Sequence, residues 1–418
     1  MKKFLCAIIS AVLFLGLIPL TACGGVKIMG KKLEDYTIVY AKYEAEDLMK
    51  KNLSLASLTE WDFNKITAEE LRDKIKAEFG VELPIVKDTE SEKTGNEILI
   101  GNTNRLKYAD DLGLDFVKDI TLNSSGVNTR YNYSTTDPFK YAIGVKDKDF
   151  YAVGGCYGTT YFASNQLFEE FKKNFDGKNI NLSNNFKVEG TKDLEVIGCI
   201  GDSITQGYKS TSADTGLANS YCYFAYPSYL QRLNWKTSYV YNFGRSAMTM
   251  LSTTSNSYQD SARWTKAIEM REVLDKVIIA LGTNDSKIVL VNENRAWTTN
   301  DDNQFIADFF TLVDTLSENN KNIQFILSNC PVTGSANPYG ADFILELQQE
   351  CVIKAKQKGY DIELCDMNTY SKENMPLNTC FDSDKLHPNS KGYYKMAVAL
   401  NGAIKQFFNW QKYQLTYN

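Results

Sequence analysis

A single histidine, His387, stands in 418 residues, and its scarcity excludes more chemistry than any other feature of the chain. Protein zinc sites draw mainly on histidine and cysteine. Beyond Cys6 and Cys23, seven cysteines remain, widely spaced, odd in number and without a Cys-x-x-Cys pair, so neither a disulfide framework nor a metal site is indicated. No cofactor is implied. Cys199 and Cys365 fall inside apolar stretches and read as small core residues. No basic cluster interrupts the mildly acidic balance, with a formal net charge of -5, which argues against nucleic acid as a partner. The Gly-x-Ser-x-Gly elbow is also missing where a nucleophilic serine would be sought, because Thr205 occupies the place of its second glycine.

What is present begins with a leader. Lys2 and Lys3 precede an apolar run over 4–20 and the small residues Thr21-Ala22, so 1–22 reads as a signal peptide and is set aside from fold reasoning. Leu20-Thr21-Ala22-Cys23 is similar to the lipobox of bacterial lipoproteins, which implies cleavage before Cys23 and lipid on its sulfur. Residues 23–34, with Gly24, Gly25 and Gly30, then form a tether. The expectation is a cell-surface, extracytoplasmic lipoprotein that meets the membrane only through its lipid anchor. Its 396 mature residues are enough for two domains with proper cores.

Residues 35–190 read as a small α/β accessory domain. Strand-like runs occur at 37–40, 83–86 and 97–101, and the runs 141–145 and 150–153 flank Lys146-Asp147-Lys148-Asp149 as a hairpin. Thr67-Ala68-Glu69-Glu70 has the form of a capping box, followed by Leu71, Ile75 and Phe79 on one helical face. A second helix is expected near 160–173. No catalytic constellation emerges here, and Gly154-Gly155-Cys156-Tyr157-Gly158 matches no phosphate-binding fingerprint and reads as a turn. This order of elements resembles the accessory domain that precedes the catalytic domain in some β-hexosaminidases and α-glucuronidases. The polar loop 121–140, with Tyr131, Tyr133 and Phe139, is a candidate sugar-lining segment.

Residues 194–412 alternate strand and helix. Strands are expected at 195–200, 238–242, 277–281, 323–327 and 362–365, with helices starting at 226 and covering 303–317, 342–358 and 392–409. Such alternation predicts a parallel sheet with helices on both faces and a site at the carboxyl ends of its strands. At the end of the first strand stands Gly201-Asp202-Ser203, a place where a hydroxyl is held rigidly and exposed to a cleft. A serine needs a base, and the lone imidazole follows Asp384 by three residues in Asp384-Lys385-Leu386-His387-Pro388, so one turn of loop can bring carboxylate and imidazole together.

Four blocks now stand in order: Gly201-Asp202-Ser203, Asn242-Phe243-Gly244, Gly282-Thr283-Asn284-Asp285 and Asp384-x-x-His387. Together they resemble the GDSL or SGNH hydrolases, over about half the chain. The resemblance implies an SGNH-type, flavodoxin-like sheet, with Ser203 as nucleophile, His387 as base and Asp384 as its partner. It implies an oxyanion hole formed by the Ser203 amide, the Gly244 amide and the Asn284 side chain. The activity it implies is a serine esterase acting through an acyl-enzyme. The leader, the accessory domain and the aromatic insertion at 208–225, with Tyr208, Tyr221, Tyr223 and Phe224, point to acylated oligo- or polysaccharide as substrate, with acetyl the group removed. A lipase, lysophospholipase or thioesterase in the same fold, and a glycan-binding lipoprotein without catalysis, are the alternatives.

Overall fold

A computed structural model describes residues 25–42, 62–106, 120–123, 126–129, 137–209 and 224–414. Cys23 and the leader, Tyr131 and Tyr133 of the polar loop, and Tyr221 and Tyr223 lie outside the described residues. The chain divides into two compact units, one comprising Met1–Tyr43, Asp62–Leu114 and Lys140–Thr191, the other Glu44–Trp61, Asp115–Phe139 and Lys192–Asn418.

The first unit opens with β1 (Lys27–Ile28), β2 (Lys31–Lys32) and β3 (Thr37–Tyr40), then α1 (Phe63–Phe79), β4 (Ile85–Lys87) and β5 (Glu97–Ile100). After these come β6 (Lys140–Lys146), β7 (Asp149–Gly154), α2 (Tyr157–Lys173), β8 (Asn179–Ile180) and β9 (Lys187–Thr191). The main sheet runs in the order β9-β6-β7-β5-β3-β4, parallel from β7 to β4 and antiparallel at β6 and β9. Ile38, Val39, Ile98, Leu99 and Ile100 are fully buried, as strands covered on both faces require. Asp147 and Lys148 both have positive φ, 52° and 78°, the paired geometry of a two-residue turn whose twist matches that of its strands. At Gly154 a Cβ would lie 2.3 Å from the Thr160 amide nitrogen. The glycine serves the close approach of β7 to α2.

Two expectations are corrected here. The segment placed in a tether over 23–34 is part of this unit from β1 onward: β1 pairs with β8 and β2, and Ile28 and Leu33 are 0 % exposed. Two apolar side chains among lysines and glycines were enough for the core to claim the segment, because each gains about 2 kcal/mol on leaving water. The capping box at Thr67 is also displaced. The helix starts a turn earlier, capped by the Asp62 carboxylate, which accepts from the Lys65 amide at 3.1 Å. Thr67 is interior, and its hydroxyl donates to the Phe63 carbonyl at 2.8 Å.

In the second unit the sheet strands are β10 (Glu195–Gly201), β11 (Ser238–Gly244), β12 (Lys276–Ala280), β13 (Gln324–Ser328) and β14 (Ile362–Cys365). A separate hairpin pairs 120–123 with 126–129. All five strands are parallel, in the order β11-β10-β12-β13-β14. This is the flavodoxin-like arrangement, in which the chain moves outward from β10 first to one side and then to the other. The helices include α3 (Ser203–Gln206), α4 (Tyr226–Leu233), α5 (Ala262–Glu269), α6 (Thr299–Leu316), α7 (Asp342–Gln357), α8 (Met367–Asn374) and α9 (Ser390–Gln414). Helix α4 packs with α9 and α6 with α7. Val277, Ile278 and Ile279 are consecutive and fully buried, so both faces of the central strand are covered. The register sets Gly201 beside both Gly244 and Ala280, which brings the ends of three strands to one edge where the winding reverses. Phe224, expected in an open cleft, is fully buried; its apolar ring belongs to the core that precedes α4.

Candidate active site

Strand β10 ends at Gly201, where a Cβ would fall 2.0 Å from the Thr205 hydroxyl and 2.7 Å from the Ala280 carbonyl oxygen. Only a glycine permits the chain to turn there. Asp202 then caps the short α3, its Oδ1 accepting from the Ile204 amide at 2.8 Å, and Ser203 becomes the first residue of that turn. The turn is held from the side by β11: the Asn242 amide group donates to the Thr205 carbonyl at 2.9 Å. It leaves in the left-handed region at Gly207, φ 90°.

The third residue set arrives from 184 positions further on. His387 Nε2 lies 2.9 Å from Ser203 Oγ, and Nδ1 lies 2.7 Å from Asp384 Oδ2. A carboxylate can only accept, so the proton belongs on Nδ1 and the bare Nε2 faces the hydroxyl. Asp384 Oδ1 accepts from the backbone amides of Leu386 and His387, each at 2.9 Å, which locks the loop. Ser203 and His387 are only 6 % and 8 % exposed. Burial, despite the neighbouring carboxylate, brings the imidazole below its ordinary pKa of 6.5 and so keeps it a free base at neutral pH. Burial alone would raise Asp384, yet the two amides and the imidazole hold it below the ordinary carboxylate value.

The amides near the serine divide sharply. In the loop after β11, Gly244 donates to Asn242 Oδ1 at 2.9 Å, Arg245 to the Gly201 carbonyl at 2.9 Å and Ser246 to Gln206 Oε1 at 2.6 Å. Met248 donates to Arg245 and Thr249 to Asn256, and Met250 and Leu251 donate to the Asp285 carboxylate. The Ala247 amide alone in this stretch makes no hydrogen bond among the described residues, and Ala247 has φ 66°, a left-handed conformation costly to a side chain. The expected donor Gly244 is therefore engaged elsewhere. Its lack of a Cβ serves packing, since one would lie 2.2 Å from the Gln206 amide nitrogen. Asn284 Nδ2 donates to the Met248 carbonyl at 2.9 Å, tying it to the same loop with its second N–H to spare. The Ser203 amide likewise has no acceptor among the described residues.

Sequence reasoning missed the carboxylates around this turn. Asp202 and Asp285 are 1 % and 0 % exposed, and burial pushes each up to about 7. Asp202 Oδ2 has no hydrogen-bond partner among the described residues. Their position next to Ser203 and Asn284 in the motif was the available signal. Ala247 carried none beyond its place in Arg245-Ser246-Ala247.

The geometry is that of nucleophile, base and orienting carboxylate with unengaged N–H groups nearby, at the edge where such sheets carry their sites. Residues 199–395 match the GDSL-like lipase/acylhydrolase family. The second unit carries this match. The chain is similar to an acetylxylan esterase of Xylanibacter ruminicola, 29% identical over 241 residues, which are 51% of this chain and 44% of that protein. It thus spans less than half the length of that curated relative. Among solved structures, the chain is similar to a lipase/acylhydrolase from Enterococcus faecalis at 18% identity and TM-score 0.37, covering 51% of this chain and 96% of that one. It is also similar to a family two carbohydrate esterase from Clostridium thermocellum in complex with cellohexaose, at 16% identity and TM-score 0.40, covering 53% and 67%.

Proposed function

We propose that the protein removes acyl groups, chiefly acetyl, from carbohydrate through an acyl-enzyme on Ser203. The observation that carries the chemistry is the continuous chain Ser203 Oγ, His387 Nε2, His387 Nδ1 and Asp384 Oδ2, at 2.9 and 2.7 Å. His387 takes the serine proton as Oγ attacks the ester carbonyl, then returns it to the leaving sugar hydroxyl. Water, deprotonated by the same imidazole, releases the acid and regenerates the serine. Asp384 stays ionised and steadies the imidazolium.

The developing oxyanion is met by the Ser203 amide, the spare N–H of Asn284 and the Ala247 amide, the donors the fold leaves unsatisfied. Each is worth about 3 kcal/mol to the transition state when so aimed. The carbohydrate part of the reading is supported by the acetylxylan esterase relative, which matches half of this chain, and by the resemblance in sequence pattern of residues 35–190 to the accessory domain of some β-hexosaminidases and α-glucuronidases. The lipobox-like segment ending at Cys23 supports a lipid-anchored, extracytoplasmic location.

The test is acetate release from p-nitrophenyl acetate and from acetylated plant and bacterial glycans, with Ser203→Ala in parallel. Release that vanishes in the variant is expected. Turnover of C8 esters equal to or better than C2 would instead indicate a lipase or thioesterase, and no release from any ester by folded protein would indicate glycan binding without catalysis.

A further inference from the structure

The two residues that follow the left-handed Gly207 are drawn over the imidazole. The Tyr208 ring meets the His387 ring edge to face, with centroids 4.7 Å apart and planes at 68°. Its carbonyl accepts from the Tyr393 hydroxyl of α9 at 2.8 Å, so the ring is braced from the helix that follows the histidine. Lys209 takes the left-handed conformation at φ 62°, and its ammonium reaches Asp382 Oδ2 at 3.1 Å. Asp382 in turn donates its backbone amide to the His387 carbonyl at 2.9 Å. Beyond the Ser203–His387 hydrogen bond, the nucleophile turn and the histidine loop are thereby joined by a ring contact and by an ion pair.

We propose that Tyr208 and Lys209 are positioning residues that hold His387 in register with Ser203, and that the Lys209–Asp382 pair sets the pH at which the base is lost. The inference rests on the reading of His387 as the general base. A non-glycine residue held at positive φ next to a functional turn is a cost that the surrounding structure must impose, and here what it secures is the ion pair. The charged groups acting on His387 are Asp382 and Asp384 from its own loop and Lys209 from the nucleophile turn, with the Tyr208 ring against it; the Tyr393 phenol of α9 is spent on the Tyr208 carbonyl, and the phenol of Tyr339, from the loop before α7, is raised by burial and by the charge of Asp384. Among the ionised groups, Lys209 disfavours the imidazolium while Asp382 and Asp384 favour it. Asp384 is committed to orientation, which leaves Lys209 and Asp382 as an opposed pair.

Opposition gives the proposal a signature that loss of structure would not mimic. In the full chain, Lys209→Met is expected to move the acid limb of kcat/KM upward, and Asp382→Asn to move it downward, each by about half a pH unit as suits charges at a partly solvated mouth. Lys209→Arg should restore the wild-type limb. Tyr208→Ala is expected to lower kcat about tenfold, the scale of a misaligned general base, with KM little changed, and Tyr208→Phe to recover most of it. Because His387 is the sole histidine, its titration can also be followed directly by NMR with labelled histidine, without any substrate. Limbs and resonances that stay unmoved in both charge variants, or move the same way, overturn the proposal. If the wild-type protein hydrolyses no ester, the reading of His387 as base falls, while opposite shifts of the resonance would still establish the electrostatic pair.

Discussion

At the scale of single residues the site makes separable claims about Ser203, His387, Asp384 and Ala247. Ser203→Ala should abolish ester hydrolysis, by at least about a thousandfold in kcat, because it removes the hydroxyl held against the imidazole. Asp384→Asn keeps the shape but presents the wrong partner to Nδ1, and a fall of about 10³–10⁴-fold in kcat is expected. The imidazole lies below its ordinary pKa of 6.5, so kcat/KM should hold level through neutral pH and decline only below pH 6.5 as His387 gains its proton. A profile that stays flat down to pH 4 would contradict the role. Ala247→Gly should preserve activity and raise stability by up to about 1 kcal/mol, since it removes a side chain from the left-handed region. Gly244→Ala should do the reverse, because its new methyl would meet the Gln206 backbone at 2.2 Å. Melting temperature and ester turnover measured on both variants decide which of the two positions supplies an amide and which supplies room.

At the scale of elements, the nucleophile turn is a short helix wedged between β10 and β11 over a buried acid. Asp202 has a folded pKa of about 7 against an ordinary 3.8, raised chiefly by burial. A raised acid binds its proton more tightly when folded, so its contribution to stability is full below about pH 4 and is lost as pH rises through 7. Asp202→Asn retains an oxygen for the Ile204 amide and replaces the unpartnered oxygen by a neutral group. It should flatten the fall in stability between pH 4 and 7, as seen in denaturant unfolding across that range. Unchanged pH dependence would show that Asp202 is ionised throughout. The strand ends of this element set were legible in advance: the apolar runs before Ser203 and Asn284 are continuous, as inner parallel strands covered on both faces must be, while the edge strand before Gly244 mixes in Ser238 and Asn242. Helix starts were less so. Thr67 to Glu70 has the pattern of a cap, yet Asp62 captured the amide of Lys65 first, and pattern alone does not say which of two caps wins.

At the scale of the molecule, the first unit claims chain that looked like a spacer. A soluble form starting after Cys23 should therefore melt higher than one starting at residue 35, which loses β1, β2 and the buried Ile28 and Leu33, worth about 2 kcal/mol each. Equal melting of the first unit in both forms would refute that assignment. Much of the second unit could be read directly, since alternation of period, strand-end glycines and the Asp384–His387 spacing are properties of neighbouring residues. These determined the parallel α/β architecture and the histidine paired with its carboxylate. Only tertiary structure decided that this pair meets a serine 184 positions away, that the Gly244 amide is spent on Asn242 while the Ala247 amide is left unspent, and that Tyr208 covers the imidazole. The reason is physical: the backbone hydrogen bonds of a loop are divided among partners brought from distant strands, and no periodicity in the chain records how that competition ends.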